Sequence, residues 1–483
     1  MNPFRPAALA VALSLACTAP LSFGADAADA AAAAASDVAP VSSAPAPRAS
    51  GLDRAGMDAA VRAQDSLFGA MNGTWVKDTP IPADKSAYGT FTMLDDLSNE
   101  RVKAIIEGLA ARPQAGGIGA KVGDYYASFM DTAAIDRTGM RALWPYLAQI
   151  DAVKTRKDLV ALMGRWVPFV DLPLGLGVGP DARDPTIYSA GAAQGGLGLG
   201  DRDYYLKKDA RFAKARAAYL EYMRVLLGAQ GSRNARVQAS AVMNLETRLA
   251  TIQWTQEANR DPVRTYNPMT LRQLAAKAPD IDWPAYLAAG ELADAPFVSI
   301  AQPSYVWALD KLVRSVPIDV WKAYLRVHLM DAQSLVLPAD VREARFRFHG
   351  VAMNGVRSDR SRWERGVDAV NGALGEAVGQ IYVSEYFPPA YKARMVELVD
   401  NLMKAYAQSI DGLTWMSPAT KVEAHAKLAR YAIKIGYPDH WRDYTALDVK
   451  AGDPILRSSR SVSNAATART LASRSSAVTS SAE

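Results

Sequence analysis

Apolar side chains recur at helical spacing along most of this chain, and that period limits what it can fold into more than any other feature. Met395, Leu398, Val399, Leu402, Tyr406 and Ile410 fall on one face of a 3.6-residue helix. So do Val102, Ile105, Ile106 and Leu109, and again Phe212, Tyr219, Met223 and Leu226. Side chains three and four apart stack on one side of a helix, so each stripe is a face that should pack on another element. Ser417 then Pro418 adds a start signal: a capping hydroxyl, followed by the first helical position, where proline is tolerated. The expectation is a mainly α, multi-helix lobe in which the stripes are core rather than ligand boxes.

One region breaks the period. Pro173–Leu199 is rich in glycine and carries short apolar runs around the turn-forming Pro180-Asp181-Ala182-Arg183-Asp184-Pro185. This predicts a small β-hairpin, Leu174–Val178 pairing with Thr186–Ala190. Gly195-Gly196-Leu197-Gly198-Leu199-Gly200 follows, without GxGxxG spacing or a Lys-Ser/Thr pair, so it reads as tightly packed backbone rather than a phosphate loop. Gly372, Gly375 and Gly379 recur at helical spacing beside Val370, Leu374, Val378 and Ile381, which predicts a helix pair in close backbone approach.

The ends differ in character from the middle. Arg5, the apolar run Ala7–Ala16 and the small residues around Ser22-Phe23-Gly24 read as a signal peptide over 1–24, hence export to a bacterial periplasm or beyond. The only cysteine, Cys17, lies inside it. Lipid anchoring there is the lesser reading, because Ser14 stands where a lipoprotein signal usually has Leu. Residues 25–50 are an Ala/Pro/Ser linker, 51–455 the globular region, and 456–483 a Ser/Arg/Ala tail with no aromatic residue, expected to be disordered. Later stretches are too short in apolar residues for a membrane helix. The 55 basic and 50 acidic residues are interspersed, which argues against nucleic-acid binding.

Catalytic chemistry is hard to find. The four histidines are His328, His349, His425 and His440, and none has another four residues away. A zinc endopeptidase helix needs His-Glu-x-x-His, so that two imidazoles share one metal while the Glu activates water. His328 shares an apolar face with Trp321, Leu325 and Leu329 and reads as a satisfied core histidine. The other three read as surface or local hydrogen bonding. No Gly-x-Ser-x-Gly elbow occurs, and adjacent carboxylates such as Asp95-Asp96 diverge on a helix. No catalytic, cofactor-binding or metal-ligating residue is therefore assigned.

Several segments, in order, resemble the neprilysin and endothelin-converting-enzyme family of zinc endopeptidases. They begin with Asn72-Gly73-Thr74-Trp75, Ile81-Pro82-Ala83-Asp84 and Tyr88-Gly89-Thr90-Phe91. Gly123-Asp124-Tyr125-Tyr126, Gly198–Tyr205, Asn259-Arg260-Asp261-Pro262, Tyr266-Asn267-Pro268-Met269 and Gln302-Pro303-Ser304-Tyr305 follow. Val370–Gly375, Tyr386-Phe387-Pro388-Pro389, Trp415–Lys421 and Lys434–Pro438 complete the series. The resemblance implies a two-lobed fold in which a thermolysin-like lobe carries zinc and a helical lobe restricts entry to small peptides. It implies that this chain is mostly the helical lobe, ending before the zinc ligands and inactive alone. Zinc and small peptides belong to full-length relatives. Two arginines that grip a substrate carboxylate in mammalian members fall, by the match, on Ala87 and Asp95, which cannot do so, and Gly200 stands where relatives often have Pro.

Three expectations follow from that resemblance. The abrupt tail suggests a frameshift that removed the catalytic lobe. Alternatively the chain is a non-catalytic binding module for peptides or a partner, or a lobe complemented by a separate catalytic chain. If a lobe is missing, Phe68, Trp75 and Ile81 should lack part of their partners and promote self-association.

Overall fold

The computed structural model describes residues 52–112, 117–445, 447–450 and 452. The signal peptide, linker and tail expected over 1–24, 25–50 and 456–483, Cys17 included, lie outside the described residues. The chain divides into two compact units, one up to Ile81 and one from Pro82.

In the first unit α1 (Leu67–Asp78) begins at Ser66, whose hydroxyl accepts from Gly69 N at 3.0 Å. Asp58 ties the preceding loop to this helix. Its N–H donates to Ala70 O at 2.9 Å, and its Oδ2 takes Lys77 Nζ at 2.7 Å. Phe68 is 69% exposed and Ile81 48%, while Trp75 is half-buried.

The second unit is the helical lobe. Its principal helices are α2 (Thr90–Ala111), α3 (Gly117–Met130), α4 (Trp144–Asp151), α5 (Arg156–Trp166), α6 (Ala210–Ala229) and α7 (Ala235–Ile252). They continue as α8 (Trp283–Ala289), α9 (Pro303–Ser315), α10 (Ile318–Gln333), α11 (Arg362–Tyr386), α12 (Pro389–Gly412) and α13 (Pro418–Ala429). A four-stranded sheet of β1 (Leu174–Pro180), β2 (Tyr188–Gln194), β3 (Pro268–Met269) and β4 (Val298–Ile300) has the order β1-β2-β4-β3.

The predicted hairpin forms, with its second strand displaced from the expected Thr186–Ala190. β1 pairs antiparallel with β2, Leu174 opposite Gln194 and Val178 opposite Ala190. Thr186 stays in the loop because its N–H and hydroxyl both bond Asp184 Oδ1, at 3.1 and 2.5 Å. Asp181 closes that loop by donating its N–H to Ile187 O at 2.9 Å. β4 joins β2 in parallel and β3 antiparallel. These two strands span three and two residues, too few to show an alternating pattern.

The larger core lies among α4 to α10 and the sheet, with Trp166, Trp283, Trp321, Tyr219, Tyr305 and Tyr324 fully buried. A second core joins Val102, Ile105 and Ile106 of α2 to Tyr125, Tyr126 and Phe129 of α3 and to Val367, Val370, Leu374 and Val378 of α11. Helices do approach closely here, but not at the glycines expected. A Cβ on Gly123 would stand 3.0 Å from Ala110 Cα, and one on Gly366 2.7 Å from Tyr126 Cε2, whereas Gly372 and Gly375 face open space. The apolar face of α11 is what packs on α2 and α3, and of Gly372, Gly375 and Gly379 only the last has a neighbour, a Cβ there standing 3.5 Å from Trp441 Cζ3.

α12 overturns a second expectation. Its stripe is helical as predicted, yet the helix contains no buried residue: Met395, Leu398, Leu402 and Tyr406 are exposed. α13, which packs on α12 and starts at the Ser417 cap, contains none either. Both helices carry an amphipathic pattern with little to bury it.

Candidate functional site

Three of the family-like segments, distant in sequence, converge at the end of β2. Gln194 leads into Gly195 and Gly196, which turn the chain over Asp171 and Pro173. Gly196 has φ +75°, and a Cβ there would fall on the Tyr324 hydroxyl. At Gly198 a Cβ would overlap the Tyr219 hydroxyl. Only glycine lets this loop lie so close to the helices beneath it.

What lies beneath is a carboxylate. Glu246 of α7 is fully buried and accepts from Tyr205 Oη at 2.5 Å, Tyr219 Oη at 2.9 Å and the Gly198 N–H at 3.3 Å, with His328 Nε2 at 2.9 Å. Tyr205 Oη in turn accepts the Leu199 N–H at 3.0 Å. Burial alone would push the His328 imidazole down. The Glu246 hydrogen bond and charge, with Asp171 and Asp331 farther off, outweigh it and raise its pKa above the ordinary histidine value. Burial, then Glu246, drives the Tyr205 hydroxyl well up, so it stays a donor. The charge is thus enclosed with its hydrogen-bond capacity filled, the condition under which a buried carboxylate is tolerated.

A second network adjoins it. Asp331, one turn beyond His328 on α10, accepts from Tyr222 Oη at 2.7 Å and sits 2.7 Å from His349 Nε2. Burial pushes the Asp331 carboxyl up, but the bond and charge of His349 and the Tyr222 hydroxyl bring it below the ordinary value. His349 lies in a π-helical segment, Phe346–Met353, whose Phe348 stacks on Tyr219 and Tyr222 at 5.1 Å.

Above the glycine loop is a cleft of about 240 Å³ with polar walls. Gln194 exchanges two side-chain bonds with Trp254, Nε2 to O at 3.0 Å and N to Oε1 at 2.8 Å. Its backbone N–H reaches Gln302 Oε1 at 2.9 Å, and Gln302 Nε2 reaches Asn259 Oδ1 at 3.1 Å. Gln253 Nε2 donates to Gly195 O at 2.9 Å, and Gln256 Nε2 to Asp201 Oδ2 at 2.7 Å. Arg202 Nε donates to Ala250 O at 3.1 Å, and no described residue takes its terminal nitrogens. The arrangement binds polar groups by fixed hydrogen bonds. It presents no nucleophile–base pair.

The histidines separate into two kinds. His328 is the core histidine the sequence suggested. His349 is half-buried and engaged with Asp331, more than a surface residue. His425 is half-buried with Nε2 2.8 Å from Asp411 Oδ1, and His440 is exposed. Among the described residues no three His, Cys, Asp or Glu side chains are placed to hold a metal ion, and the His328 Nε2 faces Glu246. These donors do not fit a zinc centre. Ala87 is exposed, and Asp95, exposed on α2, accepts from Asn99 Nδ2 at 3.1 Å. The buried Glu246 hub escaped the sequence reading. Its one signal is a carboxylate set among Val242, Leu245 and Leu249 on an apolar helix face.

The sequence profile of Peptidase family M13 matches residues 63–438. Endothelin-converting enzyme-like 1 of Mus musculus is 29% identical over 423 residues, covering 83% of this chain and 54% of that protein. Neprilysin-3 of Drosophila melanogaster is 27% identical over 418 residues, 82% of this chain and 53% of that one. Among solved structures, the Mycobacterium tuberculosis zinc metalloprotease ZMP1 in complex with inhibitor superposes with a TM-score of 0.81 at 34% identity, over 87% of this chain and 64% of that one. PepO from Lactobacillus rhamnosis shares the fold, with a TM-score of 0.74 at 24% identity over 84% of this chain and 65% of that one. The chain spans about half the length of the curated relatives it matches.

Proposed function

This chain belongs to peptidase family M13, and on that premise we propose that its residues supply the helical, peptide-enclosing region of a zinc endopeptidase without themselves holding zinc or cutting peptides. The observation that carries this reading is the family match over 63–438, beside which no three donors among the described residues meet. In a family whose relatives include zinc metalloproteases, the metal needs three protein ligands with one position open to water. Nothing in the four dispersed histidines supplies them, and no catalytic step is routed through this chain. Its part is to bound a space and orient small peptides.

A second reading, a non-catalytic peptide- or partner-binding module, is favoured by the polar cleft, whose ordered amides suit a peptide backbone. The bare stripes of α12 and α13 are the proposed border for whatever completes the protein, a separate catalytic chain included, and for self-association in its absence. Residues 1–24 are proposed to be a signal peptide directing export, 25–50 a linker and 456–483 a Ser/Arg/Ala tail.

Metal analysis and hydrolysis of short fluorogenic peptides test the reading on the purified 483-residue chain. The expected result is no stoichiometric zinc and no cleavage. Tight zinc with chelator-sensitive cleavage would overturn it.

A further inference from the structure

We propose that a groove between α4, α6 and α10, apart from the cleft above, is a saccharide-binding site. The groove has a volume of about 450 Å³. Its rim is Trp144, the first residue of α4, which is 60% exposed and whose indole makes no hydrogen bond or ring contact among the described residues. Leu227, fully buried at the end of α6, contributes apolar floor. The rest of the lining includes a set of polar groups already ordered by one another. Ser232 Oγ donates to Gln238 Oε1 at 2.7 Å, Arg326 Nη1 to Gln230 Oε1 at 3.4 Å, and Arg326 Nη2 pairs with Asp151 Oδ1. Gly231, at φ +81°, makes the turn that brings Ser232 to this set.

These features select a chemical class by elimination. An ion is not favoured, because Asp151 and Arg326 cancel. A wholly apolar ligand would cover Asp151 Oδ2 and Gln238 Nε2, which no described residue engages, and burying such groups unpaired costs free energy. A sugar ring answers both kinds of lining. One face of a pyranose is a flat patch of C–H groups that lies on an indole, and its rim of hydroxyls can donate to Asp151 Oδ2 and accept from Gln238 Nε2. The volume takes one or two rings. Because the polar lining is held in place before binding, little ordering is left for the ligand to impose. None of this depends on the peptidase reading.

The test uses the full chain with three probes: maltotriose, cellotriose and triacetylchitotriose. Binding is followed by saturation-transfer difference NMR and titration calorimetry. At least one trisaccharide should bind with a millimolar to high micromolar Kd. Trp144→Ala and Gln238→Ala should each weaken it, the first by roughly tenfold, while Trp415→Ala, an exposed tryptophan elsewhere, should leave it unchanged. Circular dichroism confirms that the variants fold. Three results overturn the proposal. These are no binding by any probe, binding indifferent to both groove variants, and a groove that ignores sugars but takes a synthetic peptide of residues 25–50 in a Trp144-dependent way.

Discussion

Replacing Glu246 by alanine removes one acceptor from three buried side-chain donors at once, Tyr205, Tyr219 and His328. Each orphaned buried donor costs about 1–3 kcal/mol, and breaking a buried ion pair from one side costs about 3–5 kcal/mol. The contributions overlap, because both tyrosine hydroxyls can rotate within the space that alanine opens. A net loss of about 4–5 kcal/mol is expected, against a typical total of about 5–15 kcal/mol. With an unfolding entropy of about 2.1 cal/mol/K per residue over about 400 ordered residues, Tm should fall by about 5–6 °C. Glu246→Gln keeps the volume and one carbonyl acceptor, and should cost only about 1–2 kcal/mol. The pH dependence has a definite sign. The folded pKa of His328 is raised above its unfolded value of about 6.5, so the stability from its pairing is complete below that pH and is lost as pH rises through the folded pKa. The gap between wild type and Glu246→Gln should therefore be widest below the ordinary histidine pKa and narrow as pH rises above it. Thermal and guanidinium unfolding followed by near-ultraviolet circular dichroism would measure these values. A loss under about 1 kcal/mol for Glu246→Ala, or a gap that widens with pH, would refute the reasoning.

Two further outcomes are expected. Gly198→Ala places a Cβ on the Tyr219 hydroxyl, so the loop must lift from Glu246, and the variant should unfold earlier in guanidinium by an amount comparable to a buried hydrogen bond, about 1–3 kcal/mol. Met395→Glu with Leu402→Glu charges the bare face of α12, and sedimentation velocity should show less self-association and weaker hydrophobic-dye binding than wild type, with unchanged helicity.

Periodicity reveals a helix and its apolar face, but not whether anything covers that face. The stripes of α2 and α12 look alike in sequence. Ile105 and Ile106 are buried under α3 and α11, while Leu398 and Leu402 stand in solvent. Cover is a property of the partner, which is encoded elsewhere. The same limit explains the glycines of α11: their spacing marks a smooth helix face, and smoothness permits close packing without compelling it. The hairpin was legible because Pro and Asp mark a turn. Its exact second strand was not, because Asp184 holds Thr186 in the loop by side-chain bonds that composition does not display.

Segments that resemble the family, distant in sequence, meet around a buried carboxylate and a polar cleft. The Gly198–Tyr205 segment supplies a backbone N–H and Tyr205 Oη to Glu246, whose other partners come from 27 and 82 residues away in sequence. Asn259 and Gln302 complete a chain of amides that fixes Gln194 at the end of β2. The resembling glycines and amides there locate backbone, the glycines by close approach and the amides by paired donors and acceptors, while Glu246 gathers side chains of α6 and α10 and the Gly198–Tyr205 segment onto one charge. A buried charge with four partners resists displacement because moving any one of them leaves an unpaired group in a dry interior. Family-like sequence in this region is therefore explained by the geometry it maintains, and substitutions here should first alter stability and the shape of the cleft beside the glycine loop.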